Sequence, residues 1–202
     1  MIRSAASPGG DPSGIGGDPS VIWHCDNNTN RLYELSVSDF SVLRESPSPS
    51  TEPSGIGGDT SVLWHCDSKV DRVYDLDPSS FSINRYRDSP GSLPTGIGGD
   101  ASTIWNCDSN VDFIFELSPS TFDLIRLASS PGGWPEGIGG TSNVIWHCDS
   151  YFGPVYELSV SDLSVVRSAA SPSTYPSGIG GDSTTIWHCD RTACRVYELG
   201  TG

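Results

Sequence analysis

The stretch Gly178-Ile-Gly-Gly-Asp-Ser-Thr-Thr-Ile-Trp-His-Cys-Asp190 recurs, lightly altered, from Gly14, Gly55, Gly96 and Gly137, each start 41 residues after the one before. Five copies at one period restrict the chain to repeat architectures, in which each unit buries its apolar face against the next. In residues 135–176 the glycine segment Gly137-Ile-Gly-Gly140 precedes the β-branched and aromatic run Asn143-Val-Ile-Trp-His-Cys148. Val155-Tyr-Glu-Leu158 and Leu163-Ser-Val-Val-Arg167 follow. Glycine suits crowded backbones, the Trp run reads as a strand buried on both faces, and the last two runs read as strands joined by a tight turn. Gly and Pro interrupt the chain about every ten residues, so no helix fits. Four short strands per period are the content of one propeller blade.

The prolines and the chain ends keep the same frame. Pro8, Pro49, Pro90, Pro131 and Pro172 are equivalent, as are Pro12, Pro53, Pro94, Pro135 and Pro176. Each pair fixes φ where the chain crosses from one blade to the next. Arg3 joins the series Arg44, Arg85, Arg126 and Arg167, so residues 1–7 read as the outer strand of the fifth blade. Five periods need 205 residues, three more than the 202 present, and the three fall between Gly202 and Met1 in the loop before that strand. The expectation is an all-β fold over residues 1–202. It is a monomeric five-bladed β-propeller of four-stranded antiparallel blades, closed by the N-terminal strand, with no open sheet edge left to associate.

The motif Pro-x-Gly-Ile-x-x-Asp, as in Pro176 to Asp182, leads to a hydrophobic strand ending in Asp190, then to Arg195-Val-Tyr-Glu-Leu199. With the outer strand ending near Arg, this resembles the NHL and YVTN class of propeller repeats across all five copies. The resemblance implies the blade, in a class that holds scaffolds, ligand binders and a few enzymes. Two departures stand out: Gly-Gly replaces larger residues on the innermost strand, and NHL rings commonly have six blades. Small residues at the axis suit a narrower ring.

A formal charge of −14 and a pI near 4.3 argue against nucleic-acid or anionic-membrane partners. No apolar run reaches the ~20 residues of a membrane span, and residues 1–8 contain no signal-peptide core. The compartment stays open. Cys25, Cys66, Cys107, Cys148 and Cys189 follow the period, and five equivalent thiols around a ring are too far apart to pair except beside the axis, so they read as free and buried. Cys194 breaks the period, and its spacing leaves a bridge to Cys189 open.

His24, His65, His147 and His188 sit beside those cysteines, with Asn106 in the third copy. Adjacent strand residues point to opposite faces, so one His-Cys pair cannot chelate zinc; packed, hydrogen-bonded histidines are expected, and no metal or cofactor. The series Asp18, Asp59, Asp100, Asp182 and Asp26, Asp67, Asp108, Asp149, Asp190 end strands, where Asp caps turns. Five tryptophans from Trp23 to Trp187 and the aromatics from Tyr33 to Tyr197 read as inter-blade core.

Asymmetry is concentrated in loops of one face. Trp134, Tyr151, Phe152, Tyr175 and Phe113 all belong to copies three to five, and aromatic side chains dominate binding hot spots. The expected function is a non-catalytic binding module that takes a protein or carbohydrate partner on this face. A multivalent, lectin-like sugar binder and an engineered or excised repeat with no function of its own are the alternatives. A lyase or lactonase would need a singular acid, base or metal cluster near the axis, where this chain repeats glycine.

Overall fold

The computed structural model of the protein describes residues 1–150 and 153–201. Among these there is no helix; the strands form five separate four-stranded antiparallel sheets. In the first blade the strands run Pro12–Asp18, Val21–Asp26, Arg31–Leu35 and Val42–Pro47, paired in chain order from axis to rim. The inner strands of the next four blades are Pro53–Gly58, Pro94–Gly99, Pro135–Gly140 and Pro176–Gly181. In the fifth blade Arg3–Ala6 supplies the outer strand, pairing with Arg195–Leu199 from Arg3↔Glu198 to Ala6↔Arg195. The ring therefore closes through the N-terminal strand.

Glycine sets how tight the ring is. A Cβ on Gly14 would lie 2.7 Å from the Cα of Gly55 and 2.8 Å from the Ile56 amide nitrogen, so inner strands touch backbone to backbone. Only glycine allows that approach. The lower part of the channel, between the inner strands' Gly-Gly segments, encloses only about 10 Å³.

Between blades, each wedge is lined by one repeated set of side chains. Trp23, Leu32, Ile56, Leu63, Tyr74, Leu76 and Phe81 form one such cluster, drawn from the first two blades. The Trp23 indole donates to Asp59 O (3.2 Å) and its ring meets Phe81 edge-on at 5.6 Å. Burial of such aromatic pairs is the main stabilising term of the interface.

One reading of the outer strand is corrected. Leu163 was expected to begin it, yet the strand is Val165–Ala170 and Leu163 closes the preceding turn at φ 63°. Phe40, Phe81 and Phe122 hold the same left-handed conformation, at φ 62°, 60° and 61°. The turn is tied by Phe40 N–H to Ser36 O (2.9 Å) and Ser36 N–H to Ser41 O (2.8 Å). That backbone disfavours bulky residues. It persists because it drives each side chain into a wedge, leaving Phe40, Phe81, Phe122 and Leu163 only 4–6% exposed. The alternation of Leu163-Ser-Val-Val imitates a strand, which is why the sequence misleads.

Candidate functional site

The loop face carries the crossovers between blades and the turns after each second strand. Its regular part is built by the strand-ending aspartates. Asp26 accepts from the Asp11 amide (2.8 Å) and the Thr29 amide (2.9 Å), so one carboxylate pins a crossover and a turn together. Asp67, Asp108 and Asp190 accept from Glu52, Leu93 and Tyr175 amides at 3.1, 2.7 and 2.8 Å. At Trp134 the amide donates to Asp112 Oδ1 (3.2 Å), while its carbonyl keeps the periodic bond from the Ser150 amide (3.1 Å), as Asp11 O does from the Asn27 amide (2.9 Å). Trp134 adopts φ 89° and its side chain is 57% exposed.

Tyr175 lies half-buried in the next crossover, its ring under the Arg191 guanidinium at 5.4 Å. Phe113 opens the strand Phe113–Leu117, half-buried and packed on the wedge between blades two and three, with Phe115 at 6.3 Å. It is an edge of the core. Tyr151 and Phe152 lie outside the described residues.

The residue that sequence reasoning passed over is Glu136. Inner strands carry Ser13, Ser54, Thr95, Glu136 and Ser177 one place before the first glycine. Each hydroxyl donates across to the next blade's proline carbonyl: Ser13 to Pro53 (2.5 Å), Ser54 to Pro94 (2.6 Å), Thr95 to Pro135 (2.6 Å) and Ser177 to Pro12 (2.6 Å). Glu136 puts a carboxyl in that place, among residues lining the loop-face end of the channel, and it is 8% exposed. Ser150 Oγ lies 3.5 Å from Glu136 Oε1. Burial pushes the Glu136 carboxyl up to about 7, with Asp149 adding to the rise, while Arg191, Ser150 and Tyr175 oppose it. Arg191 Nε in turn lies 2.6 Å from Asp11 Oδ1. Blades four, five and one thus contribute to one asymmetric polar cluster. Its signal in the sequence was a single acid in a series of hydroxyls.

The periodic residues are structural. His24 Nδ1 meets Gly14 O at 2.7 Å and its Nε2 meets Ser7 Oγ at 3.0 Å, and its ring stacks on Tyr33. Asn106 repeats both links, donating to Gly96 O (2.8 Å) and accepting from Ser89 Oγ (3.4 Å). Burial lowers His24, His65, His147 and His188 to about 4. All six cysteines are free, and Cys194 is half-buried with Sγ 3.3 Å from Gly10 O. Among the described residues no group of three His, Cys, Asp or Glu side chains is arranged to hold a metal ion.

No family model matches the sequence, and no curated protein matches it. The likeness to the NHL and YVTN class therefore extends no further than the propeller repeat. Solved structures do superpose. Glutaminyl cyclase from Myxococcus xanthus matches with TM-score 0.79 at 14% identity, over 98% of this chain and 94% of that one. Virginiamycin B lyase from Staphylococcus aureus matches at 0.58 and 21% identity, over 96% and 67%. The WD40 propeller domain of Doa1 matches at 0.62 and 10% identity, over 91% and 61%. At such identities the likeness shows the fold alone.

The expectation that the chain is not an enzyme is corrected: two of the proteins that share this fold are enzymes, a cyclase and a lyase, so the fold leaves catalysis open. The expectation rested on recurrence: a group present in every blade makes no asymmetric centre. Glu136 is a singular acid near the axis, the kind of group the repeated glycines had argued away.

Proposed function

We propose that the protein binds and acts on a ligand at the loop-face mouth of its channel, with Glu136 as the acid–base group. The observation that carries this reading is the exchange of a bonded hydroxyl for a buried carboxyl in one blade of five. A carboxyl near 7 is poised to take a proton and return it at neutral pH. Arg191 and Ser150 stabilise its ionised form, and Tyr175 and Trp134 line the adjoining crossovers as contact surface.

The superposition on glutaminyl cyclase makes a glutaminyl peptide the first substrate to try. Its amine would attack its own side-chain amide, closing a ring and breaking the C–N bond. Glu136 would take the amine proton and pass one to departing ammonia. The test is ammonia release by wild type and by Glu136→Ser, which restores the hydroxyl of the other blades. Activity with an inflection near pH 7, reduced about 10²- to 10⁴-fold in the variant, is the expected result. Release unaffected by the substitution would refute the role of Glu136.

A second reading is a protein or sugar partner docked on Trp134, favoured by its 57% exposure. A peptide and glycan array probed with wild type and Trp134→Ala separates the two.

A further inference from the structure

Closure of the ring still leaves one sheet edge per blade. Each sheet stops at its fourth strand, so Val42–Pro47, Ile83–Asp88, Leu124–Ser129, Val165–Ala170 and Arg3–Ala6 have no outer neighbour among the described residues. An unpaired edge is a template for another strand, and proteins guard it with charge or proline. Which backbone groups face outward follows from the inward bonds. Ser130 N–H donates to Asp112 O (2.8 Å), as Ser48 N–H does to Asn30 O (2.9 Å) in blade one. Bonded pairs alternate along an antiparallel ladder, so Arg126 and Ala128 bond inward to Glu116 and Ile114. Leu127 and Ser129 therefore point their N–H and C=O outward. Pro47 agrees: it stands where blade three has Ser129, a place that needs no ladder donor.

The five edges are not guarded alike. In blade one Glu45 takes the outward place of Leu127, and Pro47 removes a donor. In blade two Arg87 and Asp88 take the places of Ala128 and Ser129. Blades four and five are uncharged there but small at the centre, with Ser168 and Ser4. Blade three joins outward groups free of charge to large apolar side chains. Leu124, Ile125 and Leu127 are 45, 57 and 47% exposed. Its one ionic residue, Arg126, is already engaged, donating to Glu116 and to the carbonyls of Val160 and Ser161. In a chain with 25 Asp and Glu, this strand carries no carboxylate.

We infer that Leu124–Ser129 pairs antiparallel with the same strand of a second copy of this chain, joining two blades into one eight-stranded sheet across a two-fold axis. The occupant follows from the strand's complementarity to itself. With Leu127 on the axis, Leu127 faces its own copy, Arg126 faces Ala128 and Ile125 faces Ser129. Outward donors then meet outward acceptors, and no like charges stand opposite. The same register would set Glu45 against Glu45 in blade one and Arg85 against Arg87 in blade two. Removing Ile125 and Leu127 from water drives the contact. The formal charge of −14 opposes it, and one six-residue strand belongs with interfaces below ~1,200 Å², so the dimer is weak and forms with concentration. The strand lies on the rim, apart from the channel mouth, so the pairing stands independently of Glu136.

Sedimentation velocity and amide hydrogen exchange across a concentration series of the intact protein test this. The mass should rise from 21.5 kDa toward twice that value, and the outward amides of Leu127 and Ser129 should gain protection in step. Leu127→Glu and Ser129→Pro install what blade one already carries at the equivalent places, Glu45 and Pro47, so both variants should fold. Each should raise the dissociation constant about tenfold or more, whereas Glu136→Ser should leave it unchanged. A chain that stays at 21.5 kDa up to millimolar concentration would overturn the inference. So would a dimer that both substitutions leave intact, or one in which the Leu127 and Ser129 amides stay unprotected. If neither variant folds, exchange on the wild type decides alone. A monomer whose two amides gain protection only on adding the peptide Leu-Ile-Arg-Leu-Ala-Ser would overturn it in favour of a foreign strand.

Discussion

Blade one and blade four are written on the same 41-residue plan and do different things with it. Blade one has Asp11 in its crossover, Ser13 on its inner strand and Asp18 at the turn below; blade four has Trp134, Glu136 and Thr141. Ser13 spends its hydroxyl on the neighbouring Pro53 carbonyl (2.5 Å), whereas Glu136 turns a carboxyl toward Ser150, Arg191 and Tyr175. Trp23 is covered by Phe81, whereas Trp146 looks into an open cleft. The strand register is shared, Gly16↔Trp23 matching Gly139↔Trp146. The lesson is that the scaffold tolerates departures at crossovers, at the channel mouth and in the wedge, while pairing and the glycine wall stay fixed.

The sharpest test of that contrast is to remove the equivalent tryptophan from each blade. Trp23→Ala should destabilise by roughly 3–5 kcal/mol, because the indole is packed on both sides. Trp146→Ala should fall at or below the lower end, since its ring borders an open cleft. Urea unfolding of the two variants measures this, and equal losses would show that the open cleft has no energetic consequence.

Next comes pH, where the two kinds of buried group act in opposite directions. A histidine with a folded pKa of about 4 against an ordinary 6.5 leaves stability intact above pH 6.5 and removes it as pH falls toward 4. At about 1.4 kcal/mol per unit, that is about 3 kcal/mol for His65. Blade three, with Asn106, escapes this cost, so His65→Asn should flatten the acid limb of the stability curve. Glu136, raised to about 7 from an ordinary 4.5, makes stability decline as pH rises from 4.5 to 7. Glu136→Ser should abolish that decline and leave the protein more stable at pH 8. Thermal melting between pH 4 and 8 follows both effects, and a variant less stable at pH 8 would mean that the carboxyl holds the blades together.

The smallest effect concerns the crossover. Trp134 sits at φ 89°, a conformation that costs a side chain roughly 1 kcal/mol or more. Trp134→Gly should therefore raise stability by about 1 kcal/mol, net of glycine's own entropy. The equivalent Asp11→Gly should not, because Asp11 is not among the residues with positive φ.

The sequence by itself determined the blade, the number of blades, the closure by the N-terminal strand and the packed, hydrogen-bonded state of the histidines. All of these follow from a constant period together with glycine, proline and β-branched patterns, whose effects are local or repeat identically. Asn106 could be read as a histidine substitute because one amide can donate and accept in the same two directions. Tertiary structure alone decided the rest. Leu163 looked like a strand residue because alternation does not reveal a left-handed backbone that only wedge burial stabilises. Phe113 looked like a loop aromatic until the neighbouring blade covered it. Glu136 is one carboxyl among 25 Asp and Glu until the ring brings Asp149, Tyr175 and Arg191 around it. Burial and inter-blade proximity depend on which copy stands beside which, and no spacing along one chain contains that information.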